Sequence, residues 1–202
     1  MDLLEVRRAY SSMSDQYIRL FDGDFQPHED DTAFIRRHLT GLPGPVLDLG
    51  CGPGHWTGYL HSLGVDVTGV DVVPEFITHA QANHPGPEFR LGSMTVADAL
   101  EHSAAGILSW YSTIHLPPEE LDGVLAAFRR LLAPSGVLVV GFFDSDDDVV
   151  AFDHAVVTAY RWPVAIFAER LETAGFAEAE RLQYLCSDRP DRKYAAIAAR
   201  AP

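Results

Sequence analysis

Asp48, Gly50, Cys51, Gly52 and Gly54 set one carboxylate and three alternating glycines at the end of the apolar run Val46-Leu47. Residues of these types do little acid–base work. They bring the main chain against a ligand, because glycine accepts positive φ and has no Cβ to hold the ligand off. An amphipathic segment at 55–63 follows at once. The loop therefore opens a helix whose free N–H groups favour a polar or anionic group. The expected ligand is nucleotide-like. Asp71 closes Val67-Thr68-Gly69-Val70-Asp71, and a carboxylate there can accept both hydroxyls of a ribose. Its plainer alternative is to cap the helix that begins at Pro74. His115 is the third chemical residue, with an unperturbed pKa of about 6.5 that suits proton transfer near neutrality. A loop histidine beside a helix start is its ordinary alternative.

The glycine spacing discriminates between nucleotide sites. Dinucleotide-binding domains use G-x-G-x-x-G, the third glycine serving helix–strand packing. Here the spacing is G-x-G-x-G, with His55 at the third place and Pro53 at the first free one. D-L-G-C-G-P-G resembles the first motif of the class I S-adenosylmethionine (SAM)-dependent methyltransferases, and G-V-D at 69–71 is similar to their second. The resemblance implies SAM as cofactor, S-adenosylhomocysteine (SAH) as product, and direct displacement of the methyl by a small-molecule acceptor. It implies that Gly50, Cys51, Gly52 and Gly54 form the cofactor loop. Asp48 would then help hold the amino end of SAM, a role compatible with a buried carboxylate tying down the loop. Gly92-Ser93-Met94 falls where the family has an acid for the adenine amino group and a residue packed on the ring. Ser93 departs from that acid, so its hydroxyl or the Met94 backbone would substitute.

The segment from Gly106 to Pro118 resembles the family's fourth motif, with Ala104-Ala105-Gly106 in place of the acid that often opens it. The resemblance implies that Ser109 or Trp110 offers a carbonyl to the SAM amino group, and that His115 orients the acceptor or takes its proton. Tyr10 and Tyr17, seven residues apart, face one side of a helix. They match the lid segment of many small family members, with packing on the sheet as the alternative. Tyr160, Arg161 and Trp162 are candidates for the acceptor wall, and equally for core or surface.

These residues need elements to position them. Residues 2–20 and 29–40 read as helices, the second capped by Asp30 or Asp31 and ended by Gly41. Strands at Val46–Leu49, 66–70, Glu88–Leu91, 107–111 and 137–142 alternate with helices at 55–63, Pro74–Asn83 and 117–132. That alternation predicts a parallel, doubly wound sheet. Ligands in such sheets bind beyond the carboxyl ends of the strands, where the residues above fall. After a helix at 163–174, strands at Ala177–Leu185 and 193–199 are joined by 187–191, too short for a crossover, and so run antiparallel. Residues 143–162 are open between strand and helix. The expected architecture is α/β: a Rossmann-like, doubly wound, mostly parallel seven-stranded sheet with a C-terminal antiparallel hairpin. It forms one domain over 1–202, with a helical cap or lid at 1–40, a SAM-binding core at 45–142, and an acceptor-side segment with the closing hairpin at 143–202.

Composition excludes several classes. The chain has 202 residues, 47% hydrophobic and 22% charged, with a formal net charge of −14. Its adjacent basic pairs sit mostly on helices, so neither nucleic acid nor an acidic membrane surface is an expected partner. No apolar run approaches the roughly 20 residues of a membrane span, and acids stand where a signal peptide would carry Lys or Arg. Cys51 and Cys186 make no disulfide framework. A cytoplasmic monomer or homodimer is expected. No H-E-x-x-H or close Cys/His set predicts a metal, and there is no G-x-S-x-G or P-loop. Asp98 reads as a solvated acid. The competing functions are a SAM-binding regulatory protein without activity and, further off, an NAD-dependent oxidoreductase.

Overall fold

The computed structural model describes residues 3–21, 27–95, 101–185 and 192–202. Asp98, Cys186 and the connector at 187–191 lie outside them. Strand β1 (Val46–Leu49) pairs in parallel with β2 (Val67–Asp71) on one side and β4 (Ala104–Trp110) on the other. Strand β3 (Glu88–Leu91) adds beyond β2, and β5 (Leu132–Asp144) beyond β4, both parallel. Strand β9 (Lys193–Arg200) then pairs antiparallel with β5 and with β8 (Ala177–Leu185). These seven strands make the expected sheet and closing hairpin.

A further short hairpin, β6 (Val150–Phe152) with β7 (Ala159–Trp162), resolves the open segment as strands. β4 pairs with β5 as far as Gly141, and β7 adds at Phe143 and Asp144, just past that point. Trp162 is buried against Phe167, and Arg161 lies over the Phe152 ring. The hairpin is therefore packed core and rim rather than acceptor wall.

The two faces sort by residue parity, as the pleat requires. Leu47, Leu49, Ile107, Leu138, Val140 and Phe142 join helices α6 (Leu121–Leu131) and α7 (Val164–Thr173) in one cluster. Val46, Leu108, Val137 and Val139 join α3 (Glu29–Leu39) and α4 (His55–Ser62) in the other. With both faces covered, β1 and β4 are apolar almost throughout. Asp48 shares the α4 face with Val46, a placement that decides its partner.

The N-terminal stretch is two helices, α1 (Leu3–Ser12) and α2 (Ser14–Phe21), not one. At Met13 the chain tightens, with Met13 N–H donating to the Tyr10 carbonyl and Ser14 Oγ to the Ser11 carbonyl. Helix α3 is capped by His28, whose ring accepts from the Asp30 N–H. The expected caps are otherwise engaged: Asp31 is buried and takes the Tyr184 hydroxyl. Helix α5 (Pro74–Asn83) starts on its proline, as read from the sequence. Helix α6 begins a turn later than Pro117. Among the described residues no helix is long and apolar enough to cross a membrane.

Candidate active site

The carboxyl ends of the parallel strands, with α1 and α2, enclose a cavity of about 600 Å³, a size typical of small-molecule sites. Its floor is the glycine loop. Gly50 and Cys51 donate their N–H groups to the Val70 carbonyl at 2.7 and 3.1 Å, tying the loop to β2. Gly50 has φ +82°, and a Cβ there would lie 2.3 Å from the Cβ of Ser112. Gly52 has φ +54° with nothing within 4 Å of its Cβ position, so its bare backbone faces open space. Gly54 turns the other way, toward Ala80, Phe89 and His84. It does not line the cavity and serves loop packing instead.

Asp71 clasps the loop. Its Oδ2 accepts the Gly52 N–H at 2.8 Å, and its Oδ1 the Val73 N–H at 2.9 Å. Val73 is the N-cap residue of α5, so the capping role and the ligand-facing role meet in one side chain. A carboxylate offers about four lone-pair sites, so beside its backbone donors Asp71 keeps acceptor capacity for a ribose hydroxyl. Burial pushes its pKa up to about 6 against three backbone hydrogen bonds that pull it down. Asp48 is buried in the cavity wall and accepts the Thr57 hydroxyl at 2.6 Å across to α4. Burial raises it to about 7. Its structural role as a strut is therefore visible directly.

Ser93, Met94 and Trp110 line the cavity as expected, and Cys51 joins them. Ser109 does not. Its side chain is fully buried and its hydroxyl pairs with that of Ser112 at 2.7 Å, whereas the role expected of it was for its carbonyl. Ser112 carries the contact to the wall instead.

An aromatic train covers the site from α1 and α2. Tyr10 meets His115 at 5.5 Å and Tyr17 at 5.2 Å, Tyr17 meets Phe21 at 4.9 Å, and Phe21 stacks on His55 at 4.6 Å. Phe76 of α5 packs on both tyrosines, and Ser11 holds Glu75 at 2.8 Å. Tyr10 and Tyr17 thus converge despite lying on separate helices. Burial, the other ring and Asp71 hold the Tyr10 hydroxyl well above its ordinary pKa.

His115 Nδ1 lies 2.9 Å from the Thr158 carbonyl and Nε2 lies 2.8 Å from the Tyr10 hydroxyl. A carbonyl only accepts, so Nδ1 carries the proton and the neutral ring receives the Tyr10 O–H at Nε2. Burial lowers its pKa in the same sense.

The opposite end of the cavity went unread in the sequence. Tyr184 of β8 faces Tyr194 of β9 across the hairpin register, and their rings stack at 5.4 Å. His28 stacks on Tyr184 at 4.2 Å. The Tyr184 hydroxyl donates to both oxygens of Asp31 at 2.8 Å. All of these line the cavity. The only available signal was aromatic residues at matching positions of a predicted hairpin. His55, noted only as a missing glycine, is a buried wall residue too.

A methyltransferase-domain family model matches residues 46–136, from β1 into β5. The dTDP-3-amino-3,4,6-trideoxy-alpha-D-glucopyranose N,N-dimethyltransferase of Streptomyces venezuelae is 28% identical over 120 residues, 58% of this chain and 50% of that protein. The 1,6-didemethyltoxoflavin-N1-methyltransferase of Burkholderia thailandensis, solved with 1,6-didemethyltoxoflavin and SAH bound, is 25% identical at TM-score 0.82, over 98% of this chain and 88% of that one. Together these likenesses support a class I SAM-dependent methyltransferase. It spans about half the length of the curated relatives it matches. The [4+2]-cyclase SpnF shares the fold of this chain at TM-score 0.81 and 16% identity, covering 98% of this chain and 96% of that one. Within this architecture, reaction type must be argued from the site.

Proposed function

We propose that the chain binds SAM and transfers its methyl group to a small-molecule acceptor. The observation that carries this reading is the Asp71–Gly52 clasp at 2.8 Å beneath the tyrosine cover. It leaves carboxylate acceptor capacity and a bare backbone on one cavity, a fit for a ribose and an amino-acid tail. Asp71 would hold the ribose diol, the Gly50–Gly52 backbone with Asp48 and Trp110 the amino-acid end, and Ser93 with Met94 the adenine. Tyr17 would cover the group. When bound, SAM supplies a methyl already activated on sulfur. The protein's part is to align the acceptor and exclude water.

Where the acceptor must lose a proton, the path runs through Tyr10. The acceptor X–H donates to the Tyr10 oxygen as the Tyr10 proton passes to His115 Nε2. With the methyl supplied by SAM, which would leave as SAH, the products would be X–CH₃, SAH, an intact phenol and an imidazolium. His115 is then the base, and Tyr10 the group that touches the acceptor. A cytoplasmic monomer or homodimer without nucleic-acid or membrane partners completes the proposal. It is supported by the enclosed cavity and the net charge of −14.

The test screens small molecules for SAH release from SAM, then compares variants on an accepted compound. His115→Asn and Tyr10→Phe are expected to lower kcat by about 10²-fold, the range of lost proton-transfer catalysis, while SAH affinity stays within about twofold. The acid limb of kcat/KM lies below the ordinary imidazole value, because the lowered pKa keeps His115 unprotonated further into acid. Wild-type turnover in both variants removes the pair from the chemistry.

A further inference from the structure

Charge across the cavity is one-sided. Among the described residues its walls carry four carboxylates, Asp31, Asp48, Asp71 and Glu120, and no lysine or arginine. Sites that take carboxylate or phosphate substrates hold them with those cations, most often in bidentate pairs. A low-dielectric cleft of one sign also repels ligands of that sign well before contact. The whole chain, at −14, adds to the repulsion.

The carboxylates divide by place. Asp48 and Asp71 stand at the ends of β1 and β2, on the cofactor side. Asp31 stands against β8 and β9, across β4 and β5 from them. At roughly 4.8 Å between strands, β2 and β9 are about 19 Å apart, so one cavity offers two stations. At the far station Asp31 is 7% exposed. It lies in the first turn of α3, where the helix dipole favours an anion. The Tyr184 hydroxyl points its proton at the two oxygens of this carboxylate. Only one donor serves both oxygens, so acceptor capacity remains. Stacked rings, His28 on Tyr184 and Tyr184 on Tyr194, flank it.

Resting on the methyl-transfer reading, we infer that the acceptor is a neutral or cationic nitrogen-bearing ring compound whose N–H or ammonium group is held by Asp31, and that carboxylate and phosphate acceptors are refused. Asp31 sets specificity at a distance from the reacting methyl, with the tyrosine–histidine stack shaping the slot for an apolar body. Burial raises the Asp31 pKa only to about 6, so the anchor is charged at neutral pH.

Three probes of one frame test this on SAH-saturated protein by calorimetry at pH 7.5: tryptamine, neutral tryptophol and indole-3-acetate. Tryptamine is expected to bind at least tenfold tighter than indole-3-acetate, with tryptophol between them. Asp31→Asn, which keeps shape and removes charge, should weaken tryptamine at least fivefold and leave tryptophol within twofold. Tyr184→Phe, which strips the donor from Asp31 without touching its charge, should keep the order of the three probes. SAH affinity in each variant reports that the fold is intact. Indole-3-acetate binding as tightly as tryptamine, an unchanged tryptamine-to-tryptophol ratio in Asp31→Asn, or no binding by any of the three overturns the inference. Failure of the underlying reading shows earlier and separately, as no heat from SAH itself.

Discussion

Replacing Asp71 with alanine is expected to weaken SAH binding at least tenfold, about 1.4 kcal/mol or more for a lost charge-assisted hydrogen bond. Two effects add in that direction. The ribose loses its acceptor, and the Gly52 N–H loses the oxygen that fixes the loop at 2.8 Å. The same carboxylate makes binding pH-dependent. A diol donates to the ionised form, and burial has raised that form's pKa to about 6. Protonation therefore competes with the ligand. Affinity is flat above neutrality and falls as pH drops through about 6, approaching tenfold per unit. Calorimetric titrations between pH 5 and 8 read both effects. An unchanged affinity in Asp71→Ala, or a pH profile that the variant shares with the wild type, takes Asp71 out of the site.

Gly50→Ala should be the most damaging small change to the fold of the loop. The new Cβ would sit 2.3 Å from the Ser112 Cβ, well inside contact. Ser112 cannot swing away freely because its hydroxyl is tied to buried Ser109 at 2.7 Å. Backbone retreat would break the 2.7 Å bond from Gly50 N–H to the Val70 carbonyl. A left-handed φ for a non-glycine costs roughly 1–2 kcal/mol, and overpacking a further 1–3 or so. The sum is about 2–5 kcal/mol, which lowers Tm by roughly 4–20 °C in a chain of this size. Gly52→Ala is the informative contrast. Its φ is also positive, but nothing lies within 4 Å of the added methyl. It should cost only the roughly 1–2 kcal/mol of the left-handed backbone, less than Gly50→Ala, and it should also lower SAH affinity, since the methyl enters the space the ligand needs. Equal Tm losses in the two variants would contradict this division of labour.

The fold was legible because its signals are local and periodic. Each buried strand of the parallel sheet is a short apolar run between turns, and Glu88–Leu91 and Ala177–Leu185 match the structure end to end. The break at Met13 was not legible: the helical periodicity runs on through it. The β6–β7 hairpin was not either, since strands of three and four residues carry almost no pattern. In the site, the glycine loop and Asp71 are contiguous motifs and could be read. Gly54 was assigned to the cavity by motif position, but the turn at 54 points it toward Ala80 and Phe89. Asp31 was read as a cap because its partner, Tyr184, lies 153 residues away. That end of the cavity is assembled from α3, β8 and β9, and no spacing along the chain announces it.

His55 marks the sharpest difference from a dinucleotide site. A buried imidazole stacked on Phe21 at 4.6 Å occupies the place of the third glycine, the residue that motif uses for close helix–strand packing. Calorimetry of the wild-type chain with SAH, SAM and NAD in parallel therefore tests the central claim most directly. The account predicts saturable binding of SAH and SAM with one site per chain, and no heat from NAD. Binding of NAD with no response to SAM or SAH would contradict it.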